Sequence, residues 1–172
     1  RRVRRLVRGG DASPTVAPGV LIGSSMGAAV VLWHQLLHPL PDLNLALIAP
    51  ALSFPQRFAA LPPEELAAWR RTGRRRFASE WIDFEIGYAL AEDASRYPSE
   101  RLLQEYAAPT LILHGMEDAT VPWQQSVSFV SEAKERDLEL VLIKNGDHRL
   151  TAQKSYLFDA IAAWLRQRGV VV

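Results

Sequence analysis

The sequence contains no cysteine, which excludes disulfides, thiolate metal sites and cysteine nucleophiles. No apolar run is long enough to span a bilayer. Charge of one sign is also missing: 20 Lys and Arg stand against 19 Asp and Glu, and the net charge of +1 gives no global pull toward nucleic acid. The first ten residues, RRVRRLVRGG, have no apolar core and no cleavage-site pattern after them, so they do not read as a secretory signal. A surface helix remnant is the preferred reading, ahead of a transit peptide or an anion-binding arm. Without an export signal, a cytoplasmic location is the default expectation. The chain does not begin with methionine, and a processed form or a portion of a longer protein is expected.

What is present is a globular composition. The 172 residues are 48% hydrophobic and 23% charged, enough for one domain with a real core. Four short apolar runs predict strands: GVLIG (19–23), LNLALIAPA (43–51), PTLILHG (109–115) and LELVLIKNG (138–146). None alternates cleanly, which suits a parallel sheet covered on both faces. Helical patterns follow at 26–38, 122–137 and 154–168, the last with Leu157, Phe158, Ile161, Trp164 and Leu165 expected on one buried face. Strand and helix alternate, so the expected fold is α/β with right-handed crossovers. Residues 53–108 are too long for a single crossover. They are rich in proline, arginine and aromatics, and predict a small helical, cap-like insertion over one end of the sheet within a single domain spanning 1–172.

The segment Gly23-Ser24-Ser25-Met26-Gly27 has the spacing of a nucleophile elbow, where a strand turns directly into a helix. So tight a turn requires glycine beside the serine, and side chains at Gly23 and Gly27 are expected to collide with neighbouring backbone. The turn lifts the Ser25 hydroxyl beyond the carboxyl end of a strand, where open parallel sheets bind ligands. The first N–H groups of the following helix favour negative charge beside it.

A serine hydroxyl needs a base, normally a histidine oriented by a carboxylate. Of the four histidines, His34 and His38 sit on the helix after the elbow and are expected to point away from the strand end. His114 ends the third strand directly before a glycine turn and is taken as structural. His148, in the polar loop KNGDHRL after the fourth strand, suits the base. The acid is expected in HGMEDATVP after the third strand, where Asp118 is better placed than Glu117. Asp147 is a rival acid, but it adjoins the histidine and reads as a cap of its loop. The order Ser25, Asp118, His148 is that of α/β-hydrolases.

Together GSSMGA, LIAPA, LPPEELAAWRRTG, LILHGMEDATVPW and GDHRL resemble the α/β-hydrolase superfamily. Within it they are similar to the mitochondrial acyl-glucuronide esterase and palmitoyl-protein thioesterase group with its bacterial relatives. The resemblance runs from about Gly19 onward. It implies a serine esterase or thioesterase acting on small-molecule acyl esters through an acyl-enzyme, with no metal and no cofactor. Ser25 would be the nucleophile, Asp118 the acid and His148 the base, with the backbone N–H of Met26 as one oxyanion donor. It also implies strands ahead of the elbow and a His-Gly-type loop supplying a second oxyanion donor. The residues before Gly19 contain no such motif. The edge of the elbow strand is therefore expected to be open, and an oligomer formed through it is one consequence. A peptidase or dienelactone-type hydrolase would use the same residues, and a catalytically weak or silent truncated hydrolase, serving as an interaction module, is the rival of a different class.

Three further readings stand beside the site. The Met26 side chain lines an acyl pocket or fills the core. Trp69, Phe77, Trp81, Phe84 and Tyr88 pack a core of the insertion itself in preference to forming a lid. Arg70, Arg71, Arg74, Arg75 and Arg76 read as a solvated face in preference to an attractor of anionic leaving groups.

Overall fold

The computed structural model describes residues 19–54, 56–78, 83–93 and 96–171. The arginine-rich start and Trp81 lie outside the described residues. Four parallel strands, β1 (Gly19–Ser24), β2 (Leu43–Ile48), β5 (Thr110–Gly115) and β6 (Leu138–Ile143), form one sheet in the order β1-β2-β5-β6. Each strand moves the chain one place across the sheet, so all four carboxyl ends lie at one rim. The strand and helix positions expected from the apolar runs are those observed, with ends trimmed by a few residues.

The lack of alternation in the strands has a direct cause: both faces of the sheet are covered. On one face, Leu43, Leu45, Leu47 and Ile112 pack against α1 (Met26–Leu37), α5 (Ser99–Glu105) and α6 (Gln124–Glu132) through Leu32, Trp33, Leu102 and Phe129. On the other, Ala46, Leu111 and Leu113 pack against α7 (Lys154–Gln167) through Leu157, Ile161, Trp164 and Leu165. Phe158, expected on that buried face, is 70% exposed. It stands one residue from Leu157, about 100° around the helix, and falls outside the stripe.

The segment 53–108 divides in two. Its last part, α5 with Tyr106 and Ala108, belongs to the core beside the sheet. The earlier part contains α2 (Gln56–Ala59), α3 (Pro63–Thr72) and α4 (Ala89–Asp93), and also a hairpin of β3 (Arg74–Ala78) and β4 (Asp83–Gly87) where only helices were expected. The hairpin reads as basic and helical in sequence because its apolar residues are few: Arg75 and Phe77 face inward while Arg74, Arg76 and Ala78 face out. Pro63 at the first helical position and Glu64 and Glu65 in the first turn start α3, and Gly73, at φ 71°, ends it. Trp69, Phe58 and Ile86 form a separate buried cluster here, with edge-to-face pairs Phe58–Trp69 and Trp69–Phe77. The aromatics of the insertion thus pack its own core, with Phe84 at its surface. The arginine cluster is largely paired, as Arg75–Glu65, Arg76–Asp83 and Arg74–Glu85.

Strand β1 has one neighbour among the described residues, β2, so its other edge is open there. Ile22, in the middle of β1, is 55% exposed.

Candidate active site

The chain turns from β1 into α1 at Ser25. Its φ of 54° and ψ of −122° lie where non-glycine residues rarely go, a strain of about 1–3 kcal/mol. The elbow is held from both sides: the Ser25 N–H donates to the Ile48 carbonyl, and the Ser25 carbonyl accepts from Ala28 and Ala51. The two glycines differ. A Cβ at Gly23 would stand 2.6 Å from the Ala28 Cα and 2.7 Å from the Gly27 carbonyl oxygen, so only glycine fits. At Gly27 the described residues leave open space, and the expected collision is absent. That residue looks outward from the first turn of α1.

His148 and Asp118 reach Ser25 from the two loops after β5 and β6. His148 Nε2 lies 3.0 Å from Ser25 Oγ, and His148 Nδ1 lies 2.7 Å from Asp118 Oδ2. A carboxylate only accepts, so Nδ1 carries the proton and Nε2 accepts from the serine hydroxyl. The loops can come this close because Gly115, read from sequence only as a turn, and Gly146, which the sequence reading passed over, carry no side chains. A Cβ on Gly115 would meet the Gly146 carbonyl oxygen at 2.2 Å, and a Cβ on Gly146 would meet the Gly115 Cα at 2.8 Å. Their backbones are joined by Glu117 N–H to Gly146 O, at 2.8 Å. The HG and NG dipeptides after two strands were the available signal.

Asp118 has a fully buried side chain. Burial pushes its carboxyl up, but the N–H of Val121, the His148 ring and the N–H of Thr120 outweigh that and hold it below the usual carboxylate range. His114 is buried completely, with Nδ1 2.8 Å from Ser126 Oγ and Nε2 3.2 Å from Asp118 Oδ2. Burial lowers its pKa despite the Val121 carbonyl and Asp118 beside it. Asp147 caps its own loop, accepting from the N–H groups of Arg149 and Leu150. His34 on α1 and His38 just past its C-terminus are exposed, away from the rim.

Met26 is the first residue of α1, so its N–H has no intrahelical acceptor. Its side chain is 48% exposed and does not fill the core. A cavity of about 400 Å³ lies between the start of the insertion and the Asp118 loop, walled by Ala51, Phe54, Val121 and Pro122, with Arg57 and Gln125 among its polar residues; Ser25, His148 and Asp118 do not line it, and its tie to the elbow is Ala51, whose N–H donates to the Ser25 carbonyl. Arg57 Nη1 donates to the Thr120 carbonyl, tying the insertion to the Asp118 loop. Among the described residues no group of three or more His, Asp or Glu is arranged to hold a metal ion, and no helix is long and apolar enough to cross a membrane.

Comparison with known proteins bears on the fold and the family. The chain is 29% identical over 137 residues to mitochondrial palmitoyl-protein thioesterase ABHD10 of Mus musculus, covering 77% of this chain and 46% of that protein. It spans about half the length of the curated relatives it matches. Mouse alpha/beta hydrolase domain-containing protein 10 superposes with a TM-score of 0.71 at 26% identity, over 90% of this chain and 64% of that one. A putative hydrolase of Agrobacterium vitis S4 gives 0.70 at 28%, over 85% and 61%. The family model described as the prolyl oligopeptidase family matches residues 45–169. Taken with the parallel sheet and the serine turn at its rim, that match shows that the chain has the α/β-hydrolase fold and belongs to the prolyl oligopeptidase family.

Proposed function

We propose that this chain carries the reacting residues of a serine hydrolase that cleaves carboxylic esters or thioesters. The observation that supports it is the continuous line of hydrogen bonds from Ser25 Oγ through both nitrogens of His148 to a buried carboxylate, starting from a strained elbow. His148 Nε2 takes the hydroxyl proton as Ser25 Oγ attacks the acyl carbon. The oxyanion forms beside the Met26 N–H and the positive end of α1. The tetrahedral intermediate collapses, the C–O or C–S bond breaks, and His148 returns its proton to the leaving group. Water, deprotonated by the same nitrogen, then attacks the acyl-Ser25 ester. The acid is released and the Ser25 hydroxyl is restored. Asp118 stays ionised throughout and holds the His148 tautomer.

The acyl group, in this reading, extends from Ser25 past Ala51 toward the cavity between the insertion and the Asp118 loop, whose apolar walls suit it. The name of the curated relatives, palmitoyl-protein thioesterase, favours an acyl thioester or ester over other bonds. The family's description favours a peptide bond as the second reading.

The test is labelling with a fluorophosphonate probe and peptide mass spectrometry, followed by matched ester, thioester and peptide substrates. An adduct on Ser25 that disappears in His148→Ala is the expected result. A folded protein that takes no adduct refutes the proposal and leaves an interaction module.

A further inference from the structure

His114 is the second histidine on the Asp118 carboxylate, and it approaches from inside the protein. It is the fifth residue of β5, and its side chain is wholly buried. Nε2 faces two acceptors, Asp118 Oδ2 at 3.2 Å and the Val121 carbonyl at 3.1 Å. Nδ1 faces Ser126 Oγ on α6, also buried, at 2.8 Å. Two acceptors at one nitrogen require the proton to sit there. A second proton on a ring with no solvent is opposed by burial, so Nδ1 is a lone pair that accepts from the Ser126 hydroxyl. Its lowered pKa agrees with a neutral ring. The tautomer is thus set on both sides by residues of β5, its following loop and α6.

The Asp118 acceptor sites are then fully used. Oδ1 takes the N–H groups of Thr120 and Val121, each at 2.8 Å. Oδ2 takes His148 Nδ1 and His114 Nε2. The titratable side chains that touch Asp118 among the described residues are these two histidines. Nearby Asp147 is turned to its own loop, and Glu117 is exposed.

We propose that His114 is a positioning residue for this site. As a neutral imidazole it donates Nε2–H to the Asp118 oxygen that receives His148, and so fixes the carboxylate from its buried side. The proposal rests on reading Ser25, His148 and Asp118 as the reacting residues, because only then does the orientation of Asp118 bear on a rate. It also makes a claim independent of that reading, because the donor shares its acceptor atom with His148. Without it, Oδ2 has one donor left and accepts more strongly from His148 Nδ1–H, which moves the NMR resonance of that proton downfield.

Two amides separate the two nitrogens. In His114→Gln the side-chain amide reaches the position of Nε2 and keeps a donor toward Asp118. In His114→Asn it reaches only the position of Nδ1 and leaves Asp118 unserved. The experiment uses the full chain with ¹⁵N-labelled histidine, followed by NMR across a pH series, with fluorophosphonate labelling rates over the same range. Expected is a wild-type His114 that is neutral and protonated on Nε2 at pH 7. The Gln variant should label Ser25 close to the wild-type rate. The Asn variant should label it about tenfold more slowly, the low end of the scale seen when the hydrogen-bond partner behind a metal-ligating histidine is removed, and its His148 Nδ1–H proton should resonate further downfield.

Equal behaviour of the two variants, or an unmoved His148 Nδ1–H resonance in the Asn variant, overturns the proposal. So does a wild-type His114 found cationic or protonated on Nδ1 at pH 7, a measurement that needs no variant to fold. If wild-type Ser25 takes no adduct while the His148 Nδ1–H resonance still moves in the Asn variant, the hydrolase reading fails and the coupling of His114 to His148 through Asp118 stands.

Discussion

Replacing Gly115 by alanine should disable the site through a single methyl group. Gly115 is not at positive φ, so alanine is not opposed by the backbone conformation. The obstacle is contact: the new Cβ would lie 2.2 Å from the Gly146 carbonyl oxygen and 2.4 Å from its carbon. The loop carrying Gly146 must retreat by about 0.8 Å to reach even 3.0 Å, the distance below which Cβ contacts are essentially never found. His148 stands two residues further along that loop, and its 2.7 Å bond to Asp118 would stretch to the limit of hydrogen bonding. A misplacement of about 1 Å in reacting groups lowers rates roughly 10²-fold, while overpacking of this kind destabilises by about 1–3 kcal/mol. The assay is the fluorophosphonate labelling rate at Ser25, with thermal unfolding measured on the same sample. Expected is a loss of about 10² in rate with the protein still folded. A variant that labels at the wild-type rate, with an unchanged melting temperature, would refute the claim that this contact sets the register of acid and base.

Gly23→Ala should be poorly tolerated, with insoluble or destabilised protein on expression, whereas Gly27→Ala should fold with unchanged or slightly raised melting temperature, since alanine favours helix over glycine by up to about 1 kcal/mol; equal behaviour would contradict the geometry. Asp118→Asn should keep the fold and lower the rate by up to about 10⁴, because the amide can present a donor to His148 Nδ1 and stabilise the wrong tautomer, as measured by labelling and circular dichroism. Stability should fall on acidification in two windows. His114 is held below its ordinary 6.5, so the unfolded chain takes that proton first and stability drops as pH falls below about 6.5. Asp118 is held below its ordinary 3.8, and its contribution, whole above that value, is lost as pH falls further toward its folded-state value. Scanning calorimetry across pH checks both, and His114→Gln should flatten the upper window alone.

The strands and the helices flanking them were legible because burial on both faces leaves unbroken apolar runs, as in LNLALI and TLILHG. The elbow was legible because its geometry restricts which residues fit at Gly23. The positions of Asp118 and His148 followed from their place just beyond two strands, although whether their side chains meet depends on the Gly115–Gly146 contact, which no local pattern encodes. The hairpin β3–β4 was missed because three consecutive arginines mask its alternation, two of them drawn to Asp83 and Glu85 on the partner strand. His114 was read as structural from sequence because its link to Asp118 depends on a loop folding back four residues later.

The aromatic cluster of the insertion has a consequence for how the molecule opens. Phe58, Trp69 and Ile86 share no buried member with the two clusters that cover the sheet. The insertion therefore has the makings of a separate cooperative unit, one that can unfold and refold while the sheet stays intact. The Trp69 indole N–H bonded to the Ile86 carbonyl, at 3.0 Å, is its internal clasp. In hydrogen exchange this amide cluster would open at lower free energy than the amides of β2 and β5. Variation of Phe58, Trp69 or Phe77 would change how often the region beside the cavity is uncovered without disturbing the distances among Ser25, His148 and Asp118. A family that keeps its sheet and alters this cluster has a route to new substrates that leaves its chemistry in place.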